Sequence, residues 1–153
     1  MKREGMPKIG WREWVGLPDL GIRWVKAKID SGARSSCLHA FEIHPFERDG
    51  GAWVRFDVHP IQRNDTLIRT CEAKVLDRRA VRSSNGLVSE RFVILTELEW
   101  HRHRSPIELT LANRDAMGFR MLIGREAIRN RFLIDAGRSF LGGRPGHRIR
   151  RDP

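Results

Sequence analysis

An apolar strand that runs straight into Asp-Ser-Gly constrains this chain more than any other stretch. Val25, Ala27 and Ile29 alternate with Lys26 and Lys28, the period of a half-buried strand, and the run stops at Asp30-Ser31-Gly32-Ala33. A short acceptor, a hydroxyl and a residue without Cβ are turn chemistry. The sequence therefore predicts a carboxylate, Asp30, at a strand end, with Gly32 admitting close backbone approach and Ala33 keeping the turn narrow. Plain Asx-turns use the same letters, so the tripeptide alone assigns no chemistry. A second stretch, Met121-Leu122-Ile123, is a continuous apolar run suited to burial on both faces; it ends at Gly124 and leads into a short helix expected over 125–131.

Together the two stretches resemble the retropepsin-like aspartic proteases, in which an Asp-Thr/Ser-Gly-Ala loop is followed late in the chain by two apolar residues, Gly and a short helix. The likeness is stronger to a bacterial branch of that fold named ATP-dependent zinc proteases, whose first site reads Lys-Ile-Asp-Thr-Gly-Ala-Arg-Thr-Ser-Ala-Leu-His-Ala. The stretch from Lys28 to Ala40 departs from it at Ser31, Ser35 and Cys37, and the first two keep the hydroxyl. The resemblance implies an all-β, mainly antiparallel fold, a retropepsin-like acid-protease β-barrel with one short C-terminal helix. It makes Asp30 the catalytic carboxylate and Ser31, Gly32, Ala33 and Gly124 the support of its loop, with the Ser31 hydroxyl bound to main chain.

Asn85-Gly86 between two extended runs is the strongest short-range hairpin signal in the chain. In the order of the resembled family a mobile hairpin falls between the Asp loop and the apolar-Gly strand, so Ser84, Asn85 and Gly86 are assigned to a flap. Hydrolysis in this class needs two carboxylates sharing one proton, because like charges about 3 Å apart cannot both ionise. One Asp-Ser-Gly occurs in 153 residues, so the resemblance implies a homodimer with Asp30 contributed by each copy across a two-fold axis.

The remaining letters bound the rest. The length suits one domain, expected as a flexible 1–8, a retropepsin-like 9–141 and a basic, disordered tail over 142–153. Two cysteines, Cys37 and Cys71, make no disulfide framework, and no apolar run approaches a membrane span, so the expectation is a soluble, cytoplasmic protein without membrane contact. The net charge of +10 calls for anionic partners, and an acidic peptide satisfies it as well as RNA. Arg34 beside the Asp loop and Arg82 at the flap base are expected to recognise substrate carboxylates, unless they are solvated or paired with Glu90. That suits the resembled family's association with ATP-grasp ligases that append glutamates to a ribosomal protein, which makes such a ligase the expected partner. No His-Glu-x-x-His, Cys-x-x-Cys or phosphate-binding glycine loop is present, so neither metal nor another cofactor is expected; the alternative is zinc on Cys37, His39 and Cys71. A second function class stays open, a catalytically idle β-barrel that binds ribosomal protein or RNA through its basic surface and aromatics.

Strands are expected over 9–15, 22–29, 36–43, 52–58, 67–76, 80–95 as a hairpin, 94–100, 107–111, 121–123, 132–135 and 139–141. Val54, Phe56 and Val58 should face the core and Arg55 and Asp57 water. His44-Pro45 is read as a break, and the topology between 41 and 80 is left open.

Overall fold

The computed structural model of the chain describes residues 5–59, 67–82, 85–113 and 118–144. Its strands are β1 (Lys8–Gly10), β2 (Arg12–Leu17), β3 (Ile22–Asp30), β4 (Ser36–His39), β5 (Phe41–Arg48), β6 (Gly51–Val58), β7 (Arg69–Arg82), β8 (Val88–Trp100), β9 (His103–Ala112), β10 (Met121–Gly124) and β11 (Leu133–Asp135), with one helix, α1 (Arg125–Ile128). One sheet runs β2-β3-β10-β4-β9-β8-β7-β6-β5, and the Gly16↔Glu99 pairing of β2 with β8 closes its first six strands into a barrel. Closure removes the free edge of β2 and encloses the core. Val15, Val25, Ala27, Leu38, Ile94, Leu109, Leu111, Met121 and Ile123 fill it.

The pairing is mainly antiparallel, as expected for the fold class; β1–β11, β3–β10 and β4–β9 are parallel. The parallel pairs arise where the chain crosses the barrel rather than turning back on itself. The region left open by sequence is a hairpin that extends the sheet beyond the barrel. β5 and β6 join through Asp49 (φ 52) and Gly50 (φ 76), two positive φ values in succession, as a primed turn requires. Along β6, Val54, Phe56 and Val58 are buried and Arg55 is exposed, as alternation predicts.

Several boundaries differ from expectation for local reasons. The strand expected over 36–43 changes partner at Ala40, leaving β9 for β6, so the break falls there and not at His44-Pro45. Pro45 sits inside β5 because β5 is an edge strand and Pro45 pairs with Val54 on one side only. The candidate strand 67–76 and the first arm of the hairpin are one 14-residue strand, β7, carrying an irregularity between Val75 and Asp77. The helix stops at Ile128, not 131, and Asn130 follows in the left-handed region at φ 66. The expected strand 139–141 is not a strand, because its backbone donors meet Arg12 O and a buried carboxylate instead of a ladder.

The outer limits of the domain also shift. Lys8 belongs to β1, and Gly142 is buried and hydrogen-bonded, so both lie in the folded body and not in flexible ends. Residues 1–4 and 145–153 lie outside the described residues. Among the described residues no helix is long and apolar enough to cross a membrane.

Candidate active site

β3 delivers Asp30 as its last residue, in register with Gly124, the last residue of parallel β10. The two strands to be joined by the Asp loop are not neighbours, since β10 lies between β3 and β4. The loop 31–35 therefore steps over the end of β10, and this crossing decides which residues it tolerates. A Cβ on Gly124 would stand 2.5 Å from Ser35 O and 2.9 Å from Ala33 O, closer than real contacts allow. Gly124→Ala is expected to push the loop off the strand and cost about 1–3 kcal/mol, read from the urea midpoint at unchanged m.

The loop is pinned from several sides. Gly32 N–H donates to Asp30 Oδ1 at 3.0 Å and Ala33 N–H to Asp30 O at 3.2 Å, an Asx-turn closed on the carboxylate itself. Gly32 does not take a positive φ; its service is the close approach, since a Cβ there would lie 3.2 Å from Asp30 Oδ1. From below, Arg125 N–H donates to Ala33 O at 2.7 Å and Glu126 N–H to Arg34 O at 3.1 Å, so the start of α1 holds the loop by its backbone. Arg125 also donates from Nη1 to Ser31 O at 3.0 Å. The pinned loop leaves Asp30 half-buried with Ser31, Gly32 and Arg34 exposed around it.

Two residues outside the expected set complete this frame. Ser36 Oγ accepts the Gly124 N–H at 3.0 Å, and Ser36 O accepts the Thr110 hydroxyl at 3.0 Å, tying the loop exit to β10 and β9. Ser36 is legible in principle, as the second hydroxyl of Ser35-Ser36, but nothing in sequence separates the two. Conversely, the Ser31 hydroxyl expected to bind main chain makes no hydrogen bond within the chain among the described residues.

The other expected residues are more loosely placed. Arg34 reaches Glu126 Oε1 at 3.8 Å, and both side chains are largely in water. Arg82 donates to Gly86 O at 3.3 Å across the β7–β8 hairpin, and Glu90 pairs with Arg78 rather than with Arg82. The hairpin itself is present, with Arg82 opposite Val88. Within it, Asn85 Oδ1 accepts Leu87 N–H at 3.2 Å and Gly86 takes φ 84, while Leu87 and Val88 stand exposed. Ser84, the remaining flap residue, lies outside the described residues. Surface hollows of about 270 and 290 Å³ lie over β5, β6 and β7, lined in part by His44 and Arg55, and the Asp30 loop contributes nothing to them.

The zinc alternative finds no support in the donors. Among the described residues no three His, Cys, Asp or Glu side chains gather as a metal site. Cys71 is buried against Leu20 O at 3.5 Å, and burial pushes its thiol up to about 11, which favours a protonated core residue over a thiolate ligand.

Comparison with known proteins places this geometry. The family model for the retropepsin-like aspartic endopeptidase RimB matches residues 8–145. A probable alpha-L-glutamate ligase of Shewanella halifaxensis (strain HAW-EB4) is 50% identical over 135 residues, covering 88% of this chain and 30% of that protein. A protein of the same name from Desulfotalea psychrophila (strain LSv54 / DSM 12343) is 49% identical over 127 residues, 83% of this chain and 27% of its own length. The chain thus spans less than a third of the curated relatives it matches. Among solved structures, Lpg0085 of Legionella pneumophila, a protein of unknown function, superposes with a TM-score of 0.74 at 26% identity, over 89% of this chain and 98% of that one. A barrel whose Asp-Ser-Gly loop crosses a glycine-ended strand, matched over nearly its full length, belongs to the RimB-like family of retropepsin-like aspartic endopeptidases.

Proposed function

We propose that the protein is an aspartic endopeptidase that works as a homodimer in the cytoplasm and cuts glutamate-rich peptide. The observation that carries this reading is the Asp30 loop, a carboxylate pinned by Gly32 N–H at the end of β3 and left facing outward. One carboxylate has no partner with which to share a proton, and a second copy across a two-fold axis supplies it. In the pair, the ionised aspartate takes a proton from the water held between them while its protonated twin donates to the scissile carbonyl; the two titrate as a unit. The Ser31 hydroxyl, which makes no hydrogen bond among the described residues, is then available to the loop of the other copy. Leu87 and Val88 at the hairpin supply an apolar cover for bound substrate.

Support for an acidic substrate comes from the relatives. Proteins named probable alpha-L-glutamate ligase carry the counterpart of this domain as about 30% of their length. A hydrolytic domain joined to a glutamate-adding one has the ligase's product within reach, and this domain is read as working beside an ATP-grasp ligase of the same kind. Arg34 and Arg82 are the guanidinium groups offered to the glutamates.

The test measures cleavage of oligoglutamate-tailed and neutral peptides over a dilution series. The expected result is at least a roughly tenfold preference in kcat/KM for the acidic peptides, about 1.4 kcal/mol of transition-state discrimination. Specific activity should fall as the protein is diluted through its dimer dissociation constant. Equal rates on the two peptides would remove the acidic substrate, and full activity from a monomer would remove the dyad.

A further inference from the structure

On the β7–β9 side several cations are paired: Arg78 with Glu90, Arg79 with Asp77 and Glu108, and Arg104 with Glu99. On the outer face of β2 and β3 cations converge. Glu13, Val15, Val25, Ala27 and Ile29 point inward and are buried, so the alternate positions Arg12, Trp14, Lys26 and Lys28 point outward, with Arg12 opposite Lys28 and Trp14 opposite Lys26. Among the described residues Arg12, Lys28 and Arg144 make no ion pair with a carboxylate.

Aromatic rings are interleaved with these charges. Arg12 Cζ, Lys26 Nζ and Arg144 Cζ lie 4.9, 5.7 and 4.5 Å from the centre of the one Phe140 ring. Arg12 also lies 4.7 Å from the Trp11 ring and Lys26 5.6 Å from Phe119, and these two rings meet edge to face at 6.2 Å. Trp11, Phe119 and Phe140 are all half-buried, so part of each ring is open to water. Beyond Arg144 the sequence adds Arg148, Arg150 and Arg151. Arg12 and Arg144, like charges drawn to one ring, repel each other, and a polyanion relieves that repulsion.

We propose that this face of β2 and β3 binds single-stranded RNA. Carboxylates on an acidic protein would need only the cations. Alternating guanidinium and aromatic planes are what unpaired bases stack on, while Lys28 and Arg144 reach the phosphates. The surface begins two residues before Asp30, so a bound RNA would hold the protein beside its peptide substrate without entering the hydrolytic loop.

The experiment follows fluorescence anisotropy of a labelled, unstructured RNA of about 12 nucleotides, within the site size of small barrels. The Lys28→Ser/Arg144→Ser protein, altered at two exposed positions, should bind at least about tenfold more weakly, and its slope of log affinity against log salt should fall by roughly 1.4, about 0.7 for each lost single-strand contact. Phe140→Leu keeps every charge and should still weaken binding several-fold and reduce quenching of tryptophan fluorescence by RNA. Arg102→Ser, in the exposed turn after β8, should change affinity by less than about twofold. Peptide hydrolysis by the Lys28→Ser/Arg144→Ser protein should equal wild type, which separates this surface from the hydrolytic reading. Unchanged RNA affinity in that protein overturns the proposal. So does oligoglutamate competing as well as unlabelled RNA, which would make the face an acidic-protein surface.

Discussion

Asp30→Asn is expected to abolish peptide hydrolysis, by at least about a thousandfold in kcat/KM, while moving the melting temperature by no more than about 2 °C. Both halves follow from the same contacts. Asn keeps a side-chain oxygen to accept the Gly32 N–H, and the Asp30 main-chain bond from Ala33 is untouched, so the loop stays on the end of β10. The residue is half-buried and makes no ion pair among the described residues, so little folding energy rides on its charge. What disappears is an ionisable group able to take a proton from water, and a dyad of two amides cannot share a proton at all. Mixing variant with wild type sharpens the test. If the enzyme is a dimer with one Asp30 from each copy, excess variant should depress wild-type activity by capturing it in mixed pairs. An Asp30→Asn protein that still cleaves, or one that leaves wild-type activity intact on mixing, would place the chemistry elsewhere.

The fold and the loop are legible in the sequence because their signals are local. Apolar alternation gives β6 its faces, Asn85-Gly86 marks the β7–β8 hairpin, and an apolar run ending in Gly124 marks β10. Which strands become neighbours is not local. That β10 lies between β3 and β4, forcing the Asp30 loop to cross it, depends on pairings between residues about 90 positions apart in sequence. The break at Ala40 escapes a sequence reading for the same reason, since the chain there exchanges one partner strand for another and no residue type records the exchange. Arginines are the least legible. Arg34, Arg78 and Arg82 carry the same letter, and only the register of β7 against β8 gives Glu90 to Arg78.

Glu13 shows the other kind of miss and carries the largest expected effect on stability. In sequence it passes for part of a plain scaffold strand, although it occupies the inward series with Ile9 and Val15, and a carboxylate in an apolar series is a signal in itself. The side chain is fully buried. Oε2 accepts Gly10 N–H at 2.7 Å and Leu141 N–H at 3.0 Å, and Oε1 accepts Trp100 Nε1–H at 3.0 Å and Gly142 N–H at 3.1 Å. One residue of β2 thereby ties down β1, the end of β8 and the segment after β11. Glu13→Ala would leave four buried donors without acceptors and is expected to cost about 3–5 kcal/mol, a fall of roughly 10 °C or more in melting temperature. Glu13→Gln is the more telling change. Each oxygen serves two N–H groups, so whichever way the amide is turned, its NH2 faces two donors, and Gln should recover less than about half of the loss. The damage should reach the Asp30 loop as well, because Ile29, next to Asp30, donates its N–H to Trp11 O at 2.8 Å on the segment that Glu13 anchors. Urea unfolding of the two variants beside wild type reads the energies, and a Glu13→Gln protein as stable as wild type would show that the four donors are not held by charge.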